Sequence, residues 1–379
     1  MIGNRAVDVA IVGGGVIGCA IAYELTRRGV GVTLVERGEI GREASWASAG
    51  IVSLPNRPDM RPERIELTRR SLARYPALVA ELEERTGIAI EYRRPGEVTI
   101  ALDEAHAASG RARAAWQRAQ GFDVVDLPPA DALDLEPSLP PAVLAAWHAP
   151  AAGTLTLHRL TRALASAAAS AGATLLTDTP VGDVTHARGR VTGLRLADRT
   201  LAAETVILAS GAWTQFFGAS LGATLPTKPI KGQLLAFAHA PLHPRSVVTG
   251  HGGYVRPRLD GSSVVAATEE DVGFDRRVTG EGVAWLLDLA RTLCPPLLQG
   301  ELVTSWSGLR PGSATGEPLI GPVPGYDGLW VAAGHFRTGA KEAPATADLV
   351  ASSVVGGRPD PLLAPFAPPE STPDRTTRG

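Results

Sequence analysis

An α/β dinucleotide-binding domain joined to a β-rich antiparallel domain is the fold this sequence predicts. Three observations predict it: a strand, glycine turn and helix open the chain; buried strand-like runs, VILAS and LWVAAG, return far downstream; and residues 216–309 between them are β-rich.

The opening stretch AVDVAIVGGGVIGCAIAYELTRRGVGVTLVERG reads as a buried strand ending at Val12, a helix to about Arg28 and a second strand ending at Glu36. In the spacing Gly13-x-Gly15-x-x-Gly18, the glycines permit a tight turn, close backbone approach to a pyrophosphate and close helix–strand packing. The phosphate would rest on the helix N-terminus at Val16 and Ile17, where free N–H groups and the dipole favour an anion. Glu36 is spaced to accept hydrogen bonds from a ribose hydroxyl, with Arg37 beside it. The segment GREASWASAG, residues 41–50, then supplies small residues, among them Ala44, Ser45, Ala49 and Gly50, where an NAD domain would proceed to another crossover helix. Backbone wrapped around a longer cofactor explains that choice, and FAD is the expected dinucleotide.

Further along, residues 57–87 read as a helix with a solvated Arg/Glu face. EYRRPGEVTIAL reads as paired strands around Pro95-Gly96, and alanine-rich helices follow at 103–120 and 156–172. The block after residue 173, with Val181 in its strand–turn alternation, leads to the buried strand VILAS and to Gly211 and Trp213. Asp260-Gly261 marks a hairpin in GGYVRPRLDGSSVVAATEE. The expected domains are therefore a discontinuous Rossmann-like FAD-binding domain of the glutathione-reductase type (1–85, 150–215 and 310–366) and a substrate-binding domain (86–149 and 216–309). A disordered tail is expected at 367–379.

With 379 residues, 44% of them hydrophobic, the chain can bury the cores of two such domains. A formal net charge of -2 gives no electrostatic case for nucleic acid or an anionic membrane. Cys19 and Cys294 lack metal-ligand spacing, so no metal site is expected and both read as buried small apolar residues. No apolar run reaches the ~18 residues of a membrane span and no leader precedes the first strand, so a soluble cytoplasmic protein is expected.

Taken together, VGGGVIGCAIAYEL, EASWASAG, KPIKGQLL, ATEEDVGFD, WSGLRPGSATGEPLIG and GHFRTGA…APATA resemble, in order and over nearly the whole chain, glycine oxidases of the thiamine-biosynthesis type within the D-amino acid oxidase superfamily. The resemblance implies non-covalent FAD, oxidation of glycine, sarcosine and small D-amino acids, and molecular oxygen as electron acceptor. It also implies a homotetramer, with thiazole synthase as a partner for the imine product. Arg310 in SGLRPG falls where the family pattern has its carboxylate anchor, a role that suits a planar guanidinium. Tyr254 matches the tyrosine that helps hold the same carboxylate. Arg337 matches the arginine near the substrate amine and flavin edge. Gly334, His335, Phe336, Thr338 and Gly339 complete a loop that passes the flavin ring, with His335 either contacting the ring or capping the loop.

Some residues stand outside this pattern. Arg256 and Arg258 share a strand face with Tyr254 and are expected to be surface or inter-subunit charges. Lys341 and Glu342 replace the family's apolar residues and are expected to turn outward or to pair with each other, the alternative being a direct contact of Lys341 with the flavin. GIVSLP, residues 50–55, departs from the family's Gly-Met-Leu at the substrate entrance. Two other functions are open: a dehydrogenase passing electrons from a D-amino or imino acid to a quinone, and a non-catalytic FAD-binding scaffold. A covalent flavin is disfavoured because neither cysteine lies in a flavin-contacting motif.

Overall fold

The computed structural model describes residues 7–370. The first eight-stranded sheet is α/β in character. Val7–Val12, apolar and buried from Val9 to Val12, takes its centre and is flanked in parallel by Val32–Val35 and Thr200–Leu208. Thr174–Leu176 and Leu329–Ala333 extend the sheet on either side, still parallel, and Leu319–Pro322 closes one edge antiparallel. Val181–Ala187 and Arg190–Leu196 form a meander that joins through Thr200–Leu208.

One face of this sheet is covered by helices Val16–Thr26, Leu157–Ser170 and Gly339–Gly356, which bury Ile21, Leu25, Leu160, Leu164 and Val350 among themselves. The long helix Pro62–Thr86 packs onto them. It begins with Pro at its first position and ends where Gly87 takes φ 67°, the usual start and stop chemistry of a helix.

The second sheet is built of Glu301–Ser313, Thr227–Ala238, Ser263–Ala266, Gly253–Pro257, Val247–Gly250, Glu97–Ala101, Ala145–Ala149 and Val125–Leu127, in that order. It is antiparallel except where Val247–Gly250 runs parallel to Glu97–Ala101. The Asp260-Gly261 turn joins Gly253–Pro257 to Ser263–Ala266 as a hairpin. This β-rich region also contains the helix Gly280–Leu293, which its sequence did not announce; Leu286, Leu289 and Leu293 pack it on the sheet.

Pro95-Gly96 does not close a hairpin. Before it, Arg93 bridges to Thr154 beside the first sheet; after it, Glu97–Ala101 enters the second sheet between Val247–Gly250 and Ala145–Ala149. The turn is a crossing between layers, and Gly96 takes φ 79° with no room for a side chain against His148. Cys19 and Cys294 are buried free thiols. Among the described residues no helix is long and apolar enough to cross a membrane. Of the expected disordered tail, 371–379 lies outside the described residues, while Pro368 is buried just before it.

Candidate active site

A cavity of about 940 Å³ lies between the two sheets, and the glycine turn forms one end of it. Gly13 takes φ 113°, and a Cβ there would sit 2.6 Å from the carbonyl oxygen of Ala209. A Cβ on Gly18 would sit 2.0 Å from the carbonyl oxygen of Gly13, so helix and turn touch backbone to backbone. Ser45 reaches back from the small-residue segment: its Oγ accepts the Val16 N–H at 3.0 Å. Glu36 fixes the turn with both carboxylate oxygens, accepting the N–H of Gly14 at 2.7 Å and of Gly38 at 3.0 Å. Gly50, at φ 72°, would place a Cβ 1.9 Å from the Leu155 carbonyl oxygen, which explains why that segment ends in glycine. Arg37 stacks on Trp213 with its guanidinium carbon 3.9 Å from the ring centre.

Gly15, Val16, Ile17, Ala44, Ala49, Val181 and Gly211 line the same cavity. Of the cofactor- and substrate-contacting residues expected from sequence, Gly18 and Gly334 are the two that are not on its wall. Gly18 lies directly behind Gly13, and Gly334, at φ 75°, packs against Leu319 and Ser313.

The other end is polar. Arg310 projects from Glu301–Ser313, and its Nη1 donates to the carbonyls of Thr268 at 3.0 Å and Lys231 at 3.4 Å. Gly232 in KPIKGQLL makes room for it, since a Cβ there would lie 2.2 Å from Arg310 Nη2. Among the described residues no carboxylate pairs with Arg310, and burial pulls its pKa below the ordinary arginine value. Tyr254 lies in the same cavity; burial raises its phenol pKa, while the positive charges of Arg310 and Arg337 oppose the rise. Arg337 Nη2 pairs with Glu269, and both side chains are about half exposed.

His335 sits at the back of its loop, 1% exposed, with Nε2 3.2 Å from Thr346 Oγ1 and Nδ1 without a partner among the described residues. Burial, reinforced by Arg64, pushes its pKa down to about 3, so the imidazole is neutral. The loop is capped by its backbone, the His335 carbonyl accepting from Thr338 N at 2.9 Å and Thr338 Oγ1 at 2.7 Å.

Three expectations are corrected here. Lys341 and Glu342 neither turn outward nor pair with each other: they are 5% and 0% exposed. Lys341 Nζ donates to the Leu54 carbonyl at 3.2 Å, and Glu342 meets Arg64, Thr68 and Thr338. The first turn of their helix is wedged between the 50–55 segment and the long helix, so Glu342 faces protein, while Lys341 is buried beside Leu54 and also lines the cavity. Nor is Arg256 a surface charge. It is 4% exposed, donates to the Leu155 carbonyl at 3.1 Å, and has its pKa lowered to about 10, chiefly by burial and then by Arg258 and Arg93. Finally, the charged face of the long helix is not wholly solvated, for Arg64 is buried against Glu317 and Glu342. Its signal was present in the spacing, because Arg64, Thr68, Ser71 and Tyr75 form one buried helical stripe.

Sequence reading also passed over a polar wall formed by Asn56, Arg57, Glu97, Thr99, Arg113, Thr249, His251 and Glu269. These residues come from five separate segments and carry no shared local pattern.

Glycine cradle, close-approach serine loop and the long cavity beyond them fit a dinucleotide that continues into a redox-active ring, and define a flavin-type oxidoreductase. The chain belongs to the family of FAD dependent oxidoreductases whose profile, DAO, matches residues 8–353, and FAD is its cofactor. It is 40% identical over 363 residues to the glycine oxidase of Geobacillus kaustophilus, covering 95% of this chain and 96% of that one. The bifunctional protein ThiO/ThiG of Synechocystis is 31% identical, over 95% of this chain and 53% of that longer protein. The crystal structure of glycine oxidase from Geobacillus kaustophilus superposes with a TM-score of 0.89 at 38% identity, covering 96% of this chain and 99% of that one. The α/β architecture with mixed sheets is thus that of the glycine oxidase structures.

Proposed function

We propose that this enzyme oxidises glycine, together with sarcosine and small D-amino acids, to the corresponding imino acids. FAD is held non-covalently, oxygen takes the electrons and yields hydrogen peroxide, and the imine hydrolyses to glyoxylate or enters thiazole assembly for thiamine. The observation that carries this reading is Arg310: a cavity guanidinium with backbone carbonyls but no carboxylate for partners is suited to grip a small carboxylate ligand. Tyr254 faces the same volume and adds a phenol donor. FAD, when bound, supplies the two-electron acceptor for the substrate's Cα–H. Arg310 and Tyr254 orient the substrate, which is the main demand of such a reaction once the amine is neutral. The fusion seen in the ThiO/ThiG relative supports thiazole synthase as the partner. A cytoplasmic homotetramer is the assembly proposed with it.

The test is anaerobic. Glycine added to the yellow protein should bleach the flavin band near ~450 nm, and admitted oxygen should restore it with formation of peroxide. Bleaching followed by fast transfer to a quinone but slow reaction with oxygen would replace the oxidase by a dehydrogenase. Retention of all activity in Arg310→Ala would remove the assigned anchor.

A further inference from the structure

We propose that Glu269 is the residue by which this cavity recognises the substrate's ammonium group, a reading that rests on the amino acid oxidation proposed above. The argument starts from Thr268, whose carbonyl accepts Arg310 Nη1 at 3.0 Å. The next residue, Glu269, lines the cavity and holds Arg337 Nη2 with its carboxylate. Two consecutive residues thus tie down Arg310 and Arg337, two cavity arginines whose charges act on Tyr254. Glu270 turns away, its carboxylate 2.8 Å from the buried Lys231 Nζ and hydrogen-bonded to Gln233 and Thr268. Only the first acid of the pair faces the substrate volume.

Other cavity carboxylates are committed elsewhere. Glu36 accepts two backbone N–H groups of the glycine turn, and Glu43 is shared by Arg37 and Arg276. Glu97 accepts from Thr249 Oγ1 at 3.1 Å. Glu269, by contrast, is close enough to Arg310 to favour the guanidinium charge. An amino acid presents a carboxylate and an ammonium two bonds apart, and Arg310 and Glu269 offer the complementary pair of charges from neighbouring points of one wall.

The partner that Glu269 holds is easily exchanged. Glu269 and Arg337 are 50% and 49% exposed, and a half-exposed ion pair is weak. An arriving zwitterion gives Glu269 an ammonium and leaves Arg337 free to turn to the substrate carboxylate, so one ion pair is traded for two. A ligand with the carboxylate alone gains nothing from Glu269 and must approach a negative charge. The cavity therefore selects amino acids over hydroxy acids of the same shape.

The experiment compares 2-aminoisobutyrate with 2-hydroxyisobutyrate, which differ only in ammonium against hydroxyl and have no Cα–H to oxidise. Binding to the FAD-loaded protein is read from the shift of the flavin absorption band, in the wild type, Glu269→Gln and Glu269→Asp. The wild type should prefer the amino ligand. Glu269→Gln should weaken that ligand roughly 10- to 100-fold, the loss expected for a charged hydrogen bond, while the hydroxy ligand holds or tightens. Glu269→Asp should restore much of the preference. Equal weakening of both ligands in Glu269→Gln would make Glu269 a mere support for Arg337, and absence of an amino preference in the wild type would equally overturn the inference. Neither ligand is a substrate, so failure of glycine to bleach the flavin would remove the proposed reaction while leaving this binding contrast to be decided on its own.

Discussion

Arg64 Nε lies 3.2 Å from Glu342 Oε1, joining two residues 278 positions apart at the place where the closing helix begins. Arg64 also donates to the Gly316 carbonyl and to Thr338 Oγ1, and pairs with Glu317 at 3.1 Å. One guanidinium thereby fixes the long helix, the 313–318 turn and the loop that borders the cofactor cavity. The role of Glu342 is structural: a buried acid is answered by a buried base.

Removing Arg64 alone should be costlier than removing both partners of this pair. Arg64→Met strands the buried Glu342 carboxylate and should destabilise by about 3–5 kcal/mol; Glu342→Leu should cost less because Arg64 keeps Glu317, and the double variant should recover a large part of the Arg64→Met loss. Denaturant midpoints of the four proteins measure it. Additive losses in the double variant would show that Arg64 acts through Glu317 and Gly316 alone.

Arg310 and Gly232 make a second linked pair. Arg310→Ala should lower kcat/KM for the amino acid substrate by on the order of 100- to 1000-fold, as expected for losing two charge-assisted hydrogen bonds. FAD content should stay intact, because Arg310 stands at the far end of the cavity from the glycine turn. Gly232→Ala, whose Cβ would intrude to 2.2 Å of Arg310 Nη2, should produce a smaller loss of the same kind. Steady-state kinetics with flavin spectra separates the two effects, and a Gly232→Ala enzyme with wild-type KM would show that the guanidinium is free to move aside.

The dinucleotide cradle was legible because a local spacing determines it: Gly13, Gly15 and Gly18 follow from one strand–turn–helix unit, and Glu36 from the length of that unit. The Arg256, Lys341 and Glu342 environments were not legible. Each depends on a partner from a distant segment, Leu155, Leu54 and Arg64 respectively. Sequence gives the cost of burying a charge but not the carbonyl or counter-ion that offsets it. The Pro95-Gly96 crossing failed for a related reason, since turn residues report a change of direction and not which sheet receives the chain next.

Gly18 permits a direct test of the cradle. Its substitution by Ala would place a Cβ 2.0 Å from the Gly13 carbonyl oxygen and 3.4 Å from the Ala209 Cβ, with no flexible atom to yield. The variant should fold with markedly less bound FAD, seen as a fall in the ratio of flavin to protein absorbance. Gly280→Ala is the control, because a Cβ at that position meets nothing within 4 Å. Full flavin content in Gly18→Ala would mean that helix and turn can separate without losing the pyrophosphate site.

His335 gives a pH dependence of definite sign. Its pKa falls from 6.5 to about 3 on folding, so between those values the unfolded chain binds the proton and the folded chain does not. The stability contributed by the neutral imidazole is present above pH 6.5 and is lost as pH falls, by roughly 2 kcal/mol at pH 5 on 1.36 kcal/mol per unit. Thr346 is the ring's hydrogen-bond partner among the described residues, and Arg64 is the nearby positive charge that resists protonation. In His335→Gln an amide keeps a polar group toward Thr346 but does not titrate, so the variant should lose less stability than the wild type between pH 7 and 5. Urea midpoints at the two pH values decide it, and parallel losses in the two proteins would place the acid sensitivity in another group.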